Sequence, residues 1–244
     1  MNISGSGNIA AGEYNEKISI SGSGRINGNV RCIAISCSGS VKSVGEVECS
    51  EGISVSGSAH FEKSVVADKF SVSGSARVDG DIKANNSIKV SGSMKCGGSL
   101  KCSRIGCSGS VEIGGEAEAD EIRISGKVIC AGLLNADKID IQMDGFNVNS
   151  RVGSIGGGEI KIHNDRKGEK LARLPLLSKL VGSGGAVIVD ELIEGDIVGI
   201  ECVKAPRVVG RVVAIGADCE IGLVQYSEEI EIHPDAKVAK YEKV

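Results

Sequence analysis

From residue 20 to residue 142 apolar and polar residues alternate, and the alternation restarts at a nearly fixed interval. The tripeptide Ser-Gly-Ser begins at Ser4, Ser21, Ser38, Ser56, Ser73, Ser91 and Ser108, and Ser125-Gly126-Lys127 continues the series; successive spacings are 17, 17, 18, 17, 18, 17 and 17. Counted from the first Ser of each unit, the tenth place holds Val30, Val47, Val65, Ile82, Leu100, Ala117 and Leu134. The twelfth is always small: Cys32, Cys49, Ala67, Ala84, Cys102, Ala119 and Ala136. Each unit then closes on apolar residues two apart, such as Ile35/Cys37, Ile53/Val55, Phe70/Val72 and Ile122/Ile124. Alternation with period two describes strands with one buried face.

A strand pattern that resets every 17–18 residues predicts an all-β, single-stranded parallel β-helix, a solenoid with about three short strands per coil. Coils stack about 4.8 Å apart, so each buried place becomes a ladder of like residues. The extra residue of the two longer units falls near Glu51 and Asn86, where a corner tolerates it. Gly at the second place is expected to supply backbone freedom for a sharp corner. With that Gly turned inward, its two Ser would project outward as parallel rows.

The repeat divides the chain into three stretches. Residues 1–143 read as regular coils beneath an N-terminal cap coil, where Glu13, Tyr14 and Asn15 stand at places that should be small and apolar. Residues 144–185 read as an irregular strand segment followed by a basic, leucine-rich loop. There Leu171, Leu174, Leu176, Leu177 and Leu180 lie among Arg166, Lys167, Lys170, Arg173 and Lys179, and Pro175 interrupts any long helix. This loop is expected to fold over the end of the core or to rest on a membrane surface or partner. Residues 186–244 read as two or three further coils.

Composition narrows the classes. Aromatic residues are 2% of the 244, with no Trp, and the net charge is −4, so neither a base-stacking platform nor a basic footprint for nucleic acid is present. No apolar run approaches the roughly 20 residues of a membrane span. The start, Met-Asn-Ile-Ser-Gly-Ser-Gly, lacks the features of a signal peptide, which predicts a cytoplasmic protein.

Candidate chemistry dissolves into the repeat. Seven of the nine cysteines fall on places that want a small buried group, and none forms a C-x-x-C. So many thiols point to a reducing compartment. The histidines, His60, His163 and His233, lie on separate segments and read as exposed surface, and no loop is expected to offer a His base next to a carboxylate. Gly156-Gly157-Gly158 lacks the Lys-Ser/Thr of a phosphate loop. The expectation is therefore no catalytic residue, no metal, no cofactor and no nucleotide. What remains is the two ends of the solenoid, whose unpaired backbone groups would be satisfied by stacking end to end. By position, Ile9, Tyr14, Ile230, Ile232 and Val238 are the candidate contact residues.

The units Ile-Ser-Gly-Ser-Gly-x-Ile-x-Gly (Ile20 to Gly28) and Val-Ser-Gly-Ser-Ala-x-Val-x-Gly-Asp-Ile (Val72 to Ile82) resemble those of the bactofilins, polymer-forming cytoskeletal proteins. The tail, with Ile193-Glu-Gly-Asp, Ile215-Gly-Ala-Asp-Cys-Glu-Ile-Gly and Glu229 to Val238, is similar to the longer members of that group. The resemblance implies a right-handed β-helix and nucleotide-independent, non-polar filaments in a bacterial cytoplasm. It also implies a role in cell shape or as a scaffold at the membrane, with cell-envelope proteins as partners. This chain departs from the family in being longer, Pro-poor and interrupted. Two other readings stand beside it: a non-polymerising binding scaffold using the Ser face, and a hexapeptide-repeat acyltransferase. Against the latter, Gly does not recur every six residues.

Overall fold

The structure is a computed structural model that describes residues 1–143, 150–164 and 185–244. The loop with Leu171, Leu174, Leu176, Leu177 and Leu180 lies outside the described residues. All regular structure among the described residues is β, and the registered strand pairs are parallel. The chain forms two compact units, Met1–Ala119 and Asp120–Val244, each a stack of β-solenoid coils.

The first unit contains β1 (Asn2–Ile3), β2 (Ser6–Ile20), β3 (Ser23–Cys37), β4 (Ser40–Ser43), β5 (Val47–Val55), β6 (Ser58–Phe61) and β7 (Val65–Val72). It continues through β8 (Ser75–Val78), β9 (Ile82–Val90), β10 (Ser93–Cys96), β11 (Leu100–Lys101), β12 (Arg104–Cys107) and β13 (Ser110–Ile113). β14 (Ala117–Ile124) carries the chain onward. Ser6, Ser23, Ser40, Ser58, Ser75, Ser93 and Ser110 are register partners in turn, which is the 17–18-residue coil read from the sequence. The two extra residues sit where expected, because the register shifts between Cys49 and Gly52 and again opposite Ala84 and Ser87. Inside, the tenth-place ladder Val30, Val47, Val65, Ile82 and Leu100 is buried, as is the ladder Ile18, Ile35, Ile53, Phe70, Ile88 and Ile105. One buried place breaks the pattern. Ser43 stands between Ile26 and Phe61 with no exposure, its hydroxyl donating to the Gly45 carbonyl at 3.1 Å.

The Ser-Gly-Ser corner differs from the expectation. Its Gly does not turn inward: a Cβ on Gly22, Gly39, Gly57, Gly74, Gly92 or Gly109 would lie 2.0–2.1 Å from a glycine carbonyl oxygen of the preceding coil. Among the described glycines only Gly12 and Gly28 have positive φ. Glycine is thus required at this corner by the close approach of stacked backbones rather than by a left-handed conformation. The amides of Ser38 and Gly39 both donate to the Ile20 carbonyl, and each later corner repeats this convergence. The flanking Ser residues are exposed, as expected, except Ser110, which is half-buried.

At the ninth place a second device appears. Asn29 Oδ1 accepts the Glu46 amide at 2.9 Å and Ser64 Oγ the Asp81 amide at 3.1 Å. Asp81 Oδ1 accepts the Ser99 amide at 2.8 Å and Ser99 Oγ the Glu116 amide at 3.3 Å. A side chain of one coil so satisfies a corner amide of the next, which leaves fewer backbone donors without a partner.

The second unit contains β15 (Lys127–Met143), β16 (Ser150–Asn164), β17 (Val187–Ile200), β18 (Val203–Ile215), β19 (Glu220–Ile232) and β20 (Lys237–Lys243). β15 to β19 are longer than β4 to β14 of the first unit and bend through register shifts at the corners. The ladders Ile139, Ile160, Val198, Val213 and Ile141, Ile162, Ile200, Ile215 are buried, so the core logic of the first unit persists without the Ser-Gly-Ser signature.

Candidate assembly surfaces

A solenoid presents three kinds of surface: its strand faces, its corners and its two terminal edges. On one face of the first unit Asn8, Arg25, Lys42, His60, Arg77, Lys95 and Glu112 are register partners in succession. Acids on neighbouring places hold them. Lys42 pairs with Glu62 at 2.8 Å, Asp79 accepts from Arg77 at 2.6 Å and contacts His60 Nε2 at 2.8 Å, and Lys95 pairs with Glu112. Hydrogen bonds from His60 and Arg77 hold the Asp79 carboxyl below its usual value. On another face Glu13, Arg31 and Glu48 alternate in sign, with Arg31 at 3.4 Å from Glu13 and 2.7 Å from Glu48. In the second unit Lys204, Glu220 and Lys237 repeat the arrangement, and the flanking ammonium groups lower the Glu220 carboxyl. These charges are exposed and mutually satisfied, so they mark register more than they mark a binding site.

The histidines correct one expectation. Each lies beside a carboxylate: His60 beside Asp79, His163 beside Asp140 at 3.4 Å, and His233 beside Asp235 at 3.7 Å. Coil stacking brings the first two pairs together from positions 19 and 23 residues apart, a proximity that local spacing does not reveal. An imidazole–carboxylate contact alone supplies no nucleophile. Among the described residues no group of three or more His, Cys, Asp or Glu is placed to hold a metal ion. All nine cysteines are buried thiols, and burial pushes Cys107 and Cys219 up to about 11.

The terminal edges remain. At the start of the first unit, β2 pairs with β3 along its length and with β1 only at Ser19 and Ile20, leaving the other edge of residues 6–14 open among the described residues. Ile9 is fully buried there, so its side chain is part of the core and not of the surface. Tyr14 is half-buried at the last place of the Cys32 ladder, its hydroxyl donating to the Ala10 carbonyl at 2.9 Å. Around it stand the exposed Glu13, Asn15 and Glu16, a polar end.

The end of the second unit is different. Ile230 and Ile232 are the register partners of buried Val213 and Ile215, and Val238 is that of buried Ile221. All three are half-buried because nothing among the described residues stacks beyond them. Tyr241, partner of the buried Val224, is 59% exposed, and Val244 is 67% exposed. Tyr241 was not among the residues expected from sequence. Its signal was the tenth-place ladder Ile193, Val208, Val224, which it extends.

The fold defines a class: parallel β-solenoids whose core ladders run to the terminal edge. The bactofilin family model, described as polymer-forming cytoskeletal, matches residues 1–83, which hold β1 to β8 and the start of β9. The uncharacterized protein YhbE of Bacillus subtilis (strain 168) is 36% identical over 108 residues, 44% of this chain and 41% of that relative. The chain thus spans about two fifths of the relative's length. No solved structure matches the chain. Among the described residues no helix is long and apolar enough to cross a membrane.

Proposed function

We propose that this chain is a structural scaffold that polymerises with itself, without nucleotide, by end-to-end stacking of β-solenoid edges. The observation that carries the reading is the end of the core ladders at Ile230, Ile232, Val238 and Tyr241, uncovered among the described residues. There apolar side chains and unpaired strand backbone are exposed together, and a second copy satisfies both at once. The family match over residues 1–83 supports a cytoskeletal role; in this reading the protein works in a bacterial cytoplasm, with membrane or cell-envelope proteins as partners. The polypeptide would act without a catalytic residue or cofactor, its His60–Asp79 and His163–Asp140 contacts serving to hold adjacent coils.

Negative-stain microscopy of the purified full chain tests this, without nucleotide or metal and across salt and concentration. Long thin filaments or sheets are expected. Uniform small particles at all concentrations would overturn self-assembly and leave the capped binding scaffold.

A further inference from the structure

Cys32 and Cys49 lie 17 residues apart, one period, and are direct register partners on β3 and β5. In-register Cα atoms of neighbouring strands are about 4.8 Å apart, inside the roughly 4.4–6.8 Å that disulfides bridge. Their sulfur atoms already stand 3.4 Å apart. Elsewhere the registered partners are not cysteines: Cys37 faces Val55, Cys96 faces Val78 and Ile113, and Cys107 faces Val90 on β9. The residues immediately before each thiol, Val30, Arg31, Val47 and Glu48, line a half-open groove of about 360 Å³. Of the two sulfurs, that of Cys32 belongs to the more exposed residue, 7% against 3%.

We propose that Cys32 and Cys49 form a redox modification site, in which a small peroxide joins the two thiols into a disulfide that staples β3 to β5. Cys32 is the more exposed of the two, so a peroxide reaches its sulfur first, and the hydrogen bond from its partner lowers the Cys32 thiol from its ordinary value. The Cys32 thiolate attacks one oxygen of hydrogen peroxide, the O–O bond breaks, and the departing hydroxide takes up a proton as water. Cys32 is then a sulfenic acid. The Cys49 sulfur attacks the Cys32 sulfur, the S–O bond breaks, and hydroxide leaves with the Cys49 proton as a second water. Two thiols and one peroxide give one disulfide and two waters, and a small-molecule thiol reverses the step by exchange.

The test is to oxidise the full chain with stoichiometric hydrogen peroxide, block remaining thiols, and digest with trypsin without reductant. The expected product is peptide Cys32–Lys42 joined to peptide Ser43–Lys63, with fragment ions placing the bond at Cys32 rather than Cys37. Yield should be several-fold higher in the native chain than in the chain oxidised in urea. The bond should vanish in Cys32→Ala and in Cys49→Ala. Both variants should fold, since Ala67 and Ala84 occupy the same buried place. Hydrogen exchange in β3 and β5 should slow by at least about tenfold on oxidation in the wild type and stay unchanged in Cys49→Ala. A bond to Cys37, a native yield no higher than in urea, or unaltered exchange in the cross-linked chain would each overturn the proposal.

Discussion

A methyl group on Gly57 would sit 2.0 Å from the Gly39 carbonyl oxygen, a backbone atom held by its own coil, whereas one on Gly106 would meet open space. Gly57→Ala should therefore cost about 2–4 kcal/mol in denaturant unfolding, and Gly106→Ala less than about 0.5 kcal/mol. The buried Ser43 poses the opposite problem, a small side chain in a ladder of large ones. The next coil places Phe61 there, and Phe61 meets Phe70 edge-on with centroids 6.3 Å apart. Phe61→Ala leaves two small residues in succession, and a loss of about 3–5 kcal/mol is expected by the same measurement. Thiols give the pH dependence. Cys107 and Cys219 are raised by burial from 9.0 to about 11, so the folded chain keeps their protons while the unfolded chain releases them. Stability from this source is complete below pH 9 and declines as pH rises toward 11. Unfolding followed across pH 8 to 11 should show that decline, and its absence in a Cys107→Val, Cys219→Val double variant would assign it to these thiols.

Strands in this protein are set by corners, and the corners are unequal. The one between Cys49 and Gly52 absorbs an extra residue by a register shift, while the Ser-Gly-Ser corner has no room for even a methyl group. Deleting Glu51 should cost less than about 1 kcal/mol, the loss of an exposed pair with Lys17. Deleting Ser54, which turns Val55 outward and slides Gly57 off Gly39, should cost more than about 3 kcal/mol. Circular dichroism melts of the two deletions would separate these outcomes. The first unit's coil length, buried ladders and corner insertions were all legible because period two and period 17 coincide over many coils. The reason for the corner glycine was not, since a steric contact between coils looks the same in a sequence as a need for positive φ. The His60–Asp79 and His163–Asp140 contacts were hidden for a related reason, since their partners stand at different places of neighbouring coils, whereas the Cys32–Cys49 contact follows directly from the twelfth-place ladder.

For the chain as the polymer subunit proposed above, the contrast between the start of the first unit and the end of the second matters most. Residues 6–16 present Glu13, Tyr14 and Glu16 over a closed core, while β19 and β20 leave Ile232, Val238 and Tyr241 partly bare. Ile232→Lys should abolish or shorten filaments under negative stain, with a melting temperature within a few degrees of the parent. Normal filaments from that variant would remove the end of the second unit from the contact. Ile230, Ile232 and Val238 could be placed at an edge from sequence because they end apolar ladders; Ile9, equally terminal by number, is buried, because a cap coil can close over its own core. The glycine-on-glycine corner of the first unit has one more consequence. Since each coil rests on the last at a contact too tight to vary, that unit is a ruler with graduations of about 4.8 Å. Excising residues 56–72, from one Ser-Gly-Ser to the next, should shorten it by a single graduation and leave every remaining ladder intact. Selection could thus tune its length in whole steps by duplicating or losing one repeat of sequence.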